Sequence, residues 1–145
     1  MSKKILTELN NAELIKYAFF NDYHLPKELA VINLTQERIL LTIKNSVNLS
    51  MVSIARIVGL EKGPFSQSID KLESLGYVKR LRSETDRRLI HLSLTSDGES
   101  LANKVEKSME KHFSQKLKRL SSQEGSSLLE SLGTLNKIAQ LIISK

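Results

Sequence analysis

The hydrophobic period of this chain changes once and then changes back. From Phe65 the apolar positions Ile69, Leu72 and Leu75 follow at helical spacing, and Gly76 stops the run. Over Tyr77–Arg82 and Leu89–Leu94 the period falls to two, with Ile90, Leu92 and Leu94 sharing one face. Between them Ser83-Glu84-Thr85-Asp86 is polar and turn-prone, so the pair reads as a hairpin. Thr95-Ser96-Asp97-Gly98 then opens a long helix carrying Leu101, Val105 and Met109, with His112 or Phe113 next on the stripe. A lone hairpin inside a helical chain points to a mainly α fold with a small two-stranded β wing.

The other elements are helical. Residues 5–24 place Ile5, Leu6, Leu9, Leu14, Ala18 and Phe19 at roughly helical spacing, and Pro26 limits continuation. Thr35 is expected to cap a helix reaching Asn45, and Ser50 to cap a short helix, Met51 to Val58, that Gly59 stops. Gly63-Pro64 opens the helix that leads to Leu75. Ser121 and Glu124 have the spacing of a capping box. Leu128, Leu132, Leu135, Ala139 and Ile142 then form a heptad-like stripe, widened by Leu129, Ile138 and Ile143. So apolar a helix at a chain end needs a partner. Packing within the monomer would serve; a dimer interface shared with the N-terminal helix is the reading favoured here, with Leu128, Leu132, Leu135 and Ile142 at its centre.

Two helices joined by a short turn and followed by a basic hairpin make a winged helix-turn-helix. Residues 1–33 are expected to form an N-terminal dimerisation helix and linker, 34–98 the DNA-binding domain, and 99–145 the C-terminal dimerisation helices. In such a fold one helix enters the major groove and the hairpin reaches the neighbouring minor groove.

Charge and composition narrow the options. The 145 residues are 40% hydrophobic and carry a net charge of +6, with no cysteine. That excludes a disulfide framework, a thiol redox sensor and a cysteine nucleophile. The positive excess lies in two stretches, residues 62–91 and 102–119. The second is a Lys-rich helix, which reads as a solvated face. The first contains Lys79-Arg80-Leu81-Arg82 and Arg87-Arg88 on the hairpin, and arginine's planar fork suits phosphates and groove edges. Apolar runs such as Leu29 to Ile32 fall far short of the ~20 residues a membrane helix needs. The N-terminus turns polar at once, without an apolar core of signal-peptide length, so a cytoplasmic protein with no membrane association is expected.

Several stretches taken together resemble one family. They are Ile54-Ala55-Arg56-Ile57-Val58-Gly59-Leu60, then Ile69-Asp70-Lys71-Leu72-Glu73-Ser74-Leu75-Gly76-Tyr77-Val78-Lys79-Arg80, then Asp86-Arg87-Arg88, then Leu92-Ser93-Leu94-Thr95-Ser96-Asp97-Gly98. They are similar to the MarR family of bacterial transcription regulators, and the Asp-Arg-Arg wing before Leu-Thr-x-x-Gly is the more specific piece. The resemblance implies an obligate homodimer with interlocked terminal helices, bound to a pseudo-palindromic double-stranded operator. It also implies a repressor released by a small anionic or phenolic effector. Tyr17, Phe19, Phe20 and Tyr23 lie near the junction that relatives use as a pocket, and dimer core is the plainer reading for at least two of them.

On this pattern Ser66, Gln67 and Lys71 occupy the polar side of the recognition helix and are expected to contact bases. Gln67 suits a bidentate contact to an adenine edge, where many relatives carry arginine. Arg88, oriented by Asp86, is implied to enter the minor groove, whose narrow A·T-rich form attracts a guanidinium. Arg87, Arg82, Lys62 and Ser50 are candidate phosphate contacts. Other chemistries have less support. His24, His91 and His112 lack metal-ligand spacing in the sequence, although His24 and His112 could meet in a dimer, as in zinc-binding relatives. No nucleophile elbow or phosphate loop occurs, so neither an enzyme nor a cofactor is expected. The alternative is a winged-helix protein-interaction module without DNA binding, for which Asp86-Arg87-Arg88 would serve no purpose.

Overall fold

Local chemistry sets most element ends in the computed structural model, which describes residues 1–46 and 49–144. The helices are α1 (Ser2–Asn11), α2 (Glu13–Phe20), α3 (Leu34–Asn45), α4 (Met51–Val58), α5 (Lys62–Ser74), α6 (Ser96–Leu117) and α7 (Ser122–Ser144). Strands β1 (Val78–Arg82) and β2 (Ile90–Leu94) lie between α5 and α6. The Ser50 side chain caps α4 by accepting the Ser53 N–H at 3.2 Å, and Gly59 ends α4 at φ +81°. Gly76 turns the chain out of α5 at φ +82°, which lets the Tyr77 N–H reach the Leu72 carbonyl at 2.9 Å. At α7 the box closes: the Ser121 N–H donates to Glu124 Oε2 at 2.8 Å, and the Glu124 N–H to Ser121 Oγ at 3.1 Å.

Some ends differ from the sequence reading. The expected helix over 5–24 is two segments meeting at Ala12, and α2 stops at Phe20. Asn21 and Asp22 follow, residues that compete with the helix for backbone hydrogen bonds. The cap of α3 is Asn33, not Thr35. Asn33 accepts the Gln36 N–H at 2.8 Å, and Gln36 Oε1 accepts the Asn33 N–H at 3.0 Å, a reciprocal pair that fixes the start two residues earlier. Helix α5 begins at Lys62, one residue before the expected opening at Gly63-Pro64, and Pro64 sits in its first turn, where there is no hydrogen bond for proline to break.

The chain divides into two compact units, His24–Met109 and the combination of Met1–Tyr23 with Glu110–Lys145. Residues 24–33 and 99–109 therefore group with the winged helix rather than with the terminal helices. The first unit is built on Ile39, Leu40 and Ile43 of α3, Ile54 and Val58 of α4, Phe65, Ile69 and Leu72 of α5, Val78 of β1, and Leu101 and Val105 of α6. The strands pair antiparallel with Arg80 opposite Leu92, and a single rung between Ser50 and His91 extends the sheet towards the start of α4. Arg38 donates to the Val58 carbonyl at 2.9 Å, and Lys44 ties α3 to Glu106 of α6 at 2.6 Å. Thr95 donates through its hydroxyl to the Gly76 carbonyl and through its N–H to the Tyr77 carbonyl. Gly98, in the first turn of α6, lies so close to the Tyr77 carbonyl that a side chain would have no room.

One residue of this core is out of keeping. Glu37 is 1% exposed, and neither carboxylate oxygen has a hydrogen-bond partner. Burial pushes its carboxyl up to about 7.

In the second unit Phe113 meets Phe19 and Phe20 edge to face, with ring centroids 5.1 and 5.0 Å apart. His112 lies beside Tyr23 and bonds the Phe19 carbonyl through Nε2 at 2.9 Å. Lys116 grips Asp22 at 2.7 Å and holds that carboxyl below its ordinary range. Tyr17 stays exposed. Among the described residues no helix is long and apolar enough to cross a membrane.

Candidate nucleic-acid interface

The site grows from the joint between α4 and α5 and from the hairpin beside it. The helical spacing of Phe65, Ile69 and Leu72 along α5 turns all three into the core. Gln67 and Lys71 are thereby left exposed and Ser66 half-buried at the edge. Lys62, the first residue of α5, is exposed as well. A groove of ≈ 780 Å³ runs between these elements, with Phe65, Ala55 and Leu60 among its apolar lining and Ser66, Lys62, Arg56, Arg80 and Arg88 among its polar lining. Glu61 also lines it, so its cations outnumber its carboxylates, a balance that suits a polyanion.

The hairpin turn is built to display one guanidinium. Ser83 Oγ accepts the Asp86 N–H at 3.2 Å, and the Leu89 N–H returns to the Asp86 carbonyl at 3.0 Å. Asp86 then accepts three bonds from Arg88: backbone N–H and Nε to Oδ1 at 3.0 and 3.1 Å, and Nη2 to Oδ2 at 3.2 Å. The Arg88 side-chain bonds, followed by its backbone bond, hold the Asp86 carboxyl below the usual range. The Arg88 side chain is nevertheless 90% exposed. A pair so open to water adds little stability; its effect is to aim the guanidinium. Arg82 donates to the Arg87 carbonyl at 2.9 Å, which braces the turn and occupies part of the fork expected to meet phosphate. Arg87 is exposed. Ser50 is half-buried, and its oxygen is already taken by the cap of α4.

Ser66, Lys62 and Arg88 thus line one groove, while Gln67 and Lys71 stand on the exposed side of α5. Sequence reasoning passed over Arg56 and Arg80. Arg56 is exposed on the last turn of α4 and lines the groove. Arg80 was legible only as part of a basic run. In the fold its Nη2 lies 2.6 Å from Asp70 and its Nη1 2.7 Å from Glu73, the Asp70 bond leading the shifts that raise its already high pKa.

The dimerisation candidates sit on α7. Leu132, Leu135 and Ile142 are exposed, and Leu128 is half-buried in a cleft with Ile15, Phe19 and Leu120. Among the described residues no group of three or more His, Asp or Glu is placed to hold a metal. His24 is exposed on one unit, and the Nε2 of His112 on the other is committed to a carbonyl.

Comparison with known proteins agrees with this geometry. Residues 32–90 match the MarR family model. The regulator SarZ of Staphylococcus haemolyticus is 33% identical over 64 residues, 44% of each chain. The uncharacterised regulator YfiV of Bacillus subtilis is 27% identical over 105 residues, 72% of this chain and 66% of its own. The matches therefore span only 44% to 66% of those two relatives. Among solved structures, FabT of Streptococcus pneumoniae in complex with DNA superposes with a TM-score of 0.60 at 19% identity, covering 97% of this chain and 96% of that one. Apo MarR of E. coli gives 0.62 at 18% identity over 91% and 95%. At such identities the superpositions show a common fold, a winged helix flanked by terminal helices. The sequence match thus places the likeness to the MarR family in residues 32–90, and the superpositions extend the likeness in fold over most of the chain.

Proposed function

We propose that the protein is a sequence-specific double-stranded DNA-binding transcriptional regulator, acting as a homodimer. The observation that carries this reading is the Asp86–Arg88 turn, which spends a carboxylate and three hydrogen bonds on presenting one solvent-exposed cation beside an exposed polar helix. Ser66, Gln67 and Lys71 read base edges in the major groove. Arg88 enters the minor groove. Arg82, Arg87, Lys62 and Ser50 hold phosphates, joined by Arg56. Leu128, Leu132, Leu135 and Ile142 bury against the second copy, so that two half-sites give a pseudo-palindromic operator. The finer reading is a cytoplasmic repressor released by a small anionic or phenolic effector.

The test is a gel shift on duplexes selected from a random library, repeated at rising salt. Arg88→Ala removes two cations per dimer, so the slope of log affinity against log salt should flatten by up to about 2. Gln67→Ala should weaken the selected duplex by about 1–3 kcal/mol per half-site and random DNA much less. An Arg88→Ala variant with unchanged affinity and slope would move the protein to the interaction-module reading. Phenolic acids that change neither melting temperature nor DNA affinity would remove the effector from the proposal.

A further inference from the structure

Helix α5 carries a feature that DNA binding should not tolerate. Asp70 lies four residues after Ser66 and three after Gln67, which puts its carboxylate on the same helical face as the groups proposed to read bases. Glu73 follows three residues later. Two carboxylates there would repel the phosphates that the cations attract. The fold answers them with a single side chain from another element. Arg80 of β1 places Nη2 2.6 Å from Asp70 and Nη1 2.7 Å from Glu73, and its backbone N–H reaches the other Glu73 oxygen at 3.3 Å. The Arg80 side chain is 27% exposed, and the same residue lines the groove shared by Ser66 and Arg88.

We infer that Arg80 is a positioning residue for DNA recognition, one that locks the hairpin to the recognition helix and masks the two carboxylates of that helix. This rests on the DNA-binding reading above. A guanidinium holding two carboxylates with separate nitrogens fixes a direction as well as a distance, which an ammonium cannot do. β1 is thereby pinned to α5, and β2 is pinned to β1 by the ladder in which Arg80 faces Leu92. The turn that carries Arg88 hangs from those strands. Gln67 and Arg88 can then address neighbouring grooves of one duplex at once, with no rearrangement on binding. Arg80 need not touch DNA to do this.

The experiment is fluorescence anisotropy with the full chain on two labelled probes, a duplex selected from a random library by the wild-type protein and a scrambled duplex of equal length. The variants are Arg80→Ala, Arg80→Lys and the pair Asp70→Asn with Glu73→Gln, each checked for fold by circular dichroism well below its melting temperature. Arg80→Lys keeps the charge and loses the fork. It should lower the preference for the selected duplex by about tenfold while leaving the scrambled probe nearly unchanged. Arg80→Ala unmasks the carboxylates as well, so both affinities should fall. The Asn/Gln pair removes the lock and the repulsion together. Affinity for the scrambled probe should then rise while preference for the selected duplex falls, opposite signs that a loss of stability cannot produce. Folded Arg80→Lys and Asn/Gln variants with wild-type preference would overturn the inference, whatever becomes of Arg80→Ala. A wild-type protein that enriches no duplex at all would instead overturn the DNA-binding reading beneath it.

Discussion

The two compact units are made from similar helical patterns and bury very different amounts of them. In the winged unit Ile39, Leu40, Ile69, Leu72 and Val105 are fully buried. In the terminal unit neither α1, α2 nor α7 has a single buried residue, and Leu129, Ile142 and Ile143 are each more than 70% exposed. An apolar stripe states that a helix face must be covered; it does not state by what. One unit finds its cover among residues 24–109. The other leaves large apolar side chains of α1, α2 and α7 exposed, and exposed apolar faces mark interfaces, which is why a second copy is proposed to cover them.

That contrast can be broken in order of size. Replacing Leu132 and Leu135 by Asp puts charge into the proposed interface and should cost several kcal/mol of association, leaving folded winged units that sediment as monomers. A dimer that survives the change would place the interface elsewhere. Ile69→Ala should cost about 2–5 kcal/mol in urea unfolding of the winged unit without changing the oligomeric state. If both variants lower stability and dimerisation together, the two units are one cooperative system.

Glu37 tests the winged unit from within. Its carboxyl titrates near 7 when folded, against 4.5 when unfolded, so the folded chain keeps a proton that the unfolded chain loses. Stability from this group is therefore greatest below about pH 4.5 and declines as pH rises to about 7, by something on the order of 3 kcal/mol. Glu37→Leu should flatten that decline and raise stability at pH 8 by about 1–3 kcal/mol. Unfolding curves at pH 5 and pH 8 that stay parallel for both proteins would mean the carboxylate is solvated. The smallest effect expected is that of Asp86→Ala. It frees the Arg88 guanidinium without removing its charge, so DNA affinity should drop less than in Arg88→Ala while the salt slope holds.

What could be read in advance was local. Ser50 and Gly59 bracket α4, Ser121 and Glu124 start α7, and the change of period marks the strands, because each signal sits within a few residues of its effect. Thr35 misled because Asn33 offered the better reciprocal pair with Gln36. Glu37 was invisible: between Gln36 and Arg38 it looks like part of a solvated face, and only packing of α3 puts it inside. The exposure of Gln67, Lys71 and Arg88 was legible from helical phase and the turn sequence. The pairing of Arg80 with Asp70 and Glu73 was not, since it depends on how Gly76 swings β1 back along α5.

Gly98 meets the Tyr77 backbone where the end of α5 and the start of α6 are stitched by Thr95. A glycine brings no reactive side chain to this place. Yet a methyl group would force the carbonyl away and unhook the turn from which the hairpin is hung. Drift in the sequence is barred at this position by volume alone, so descendants of the chain are free to change what the wing recognises long before they are free to change this glycine.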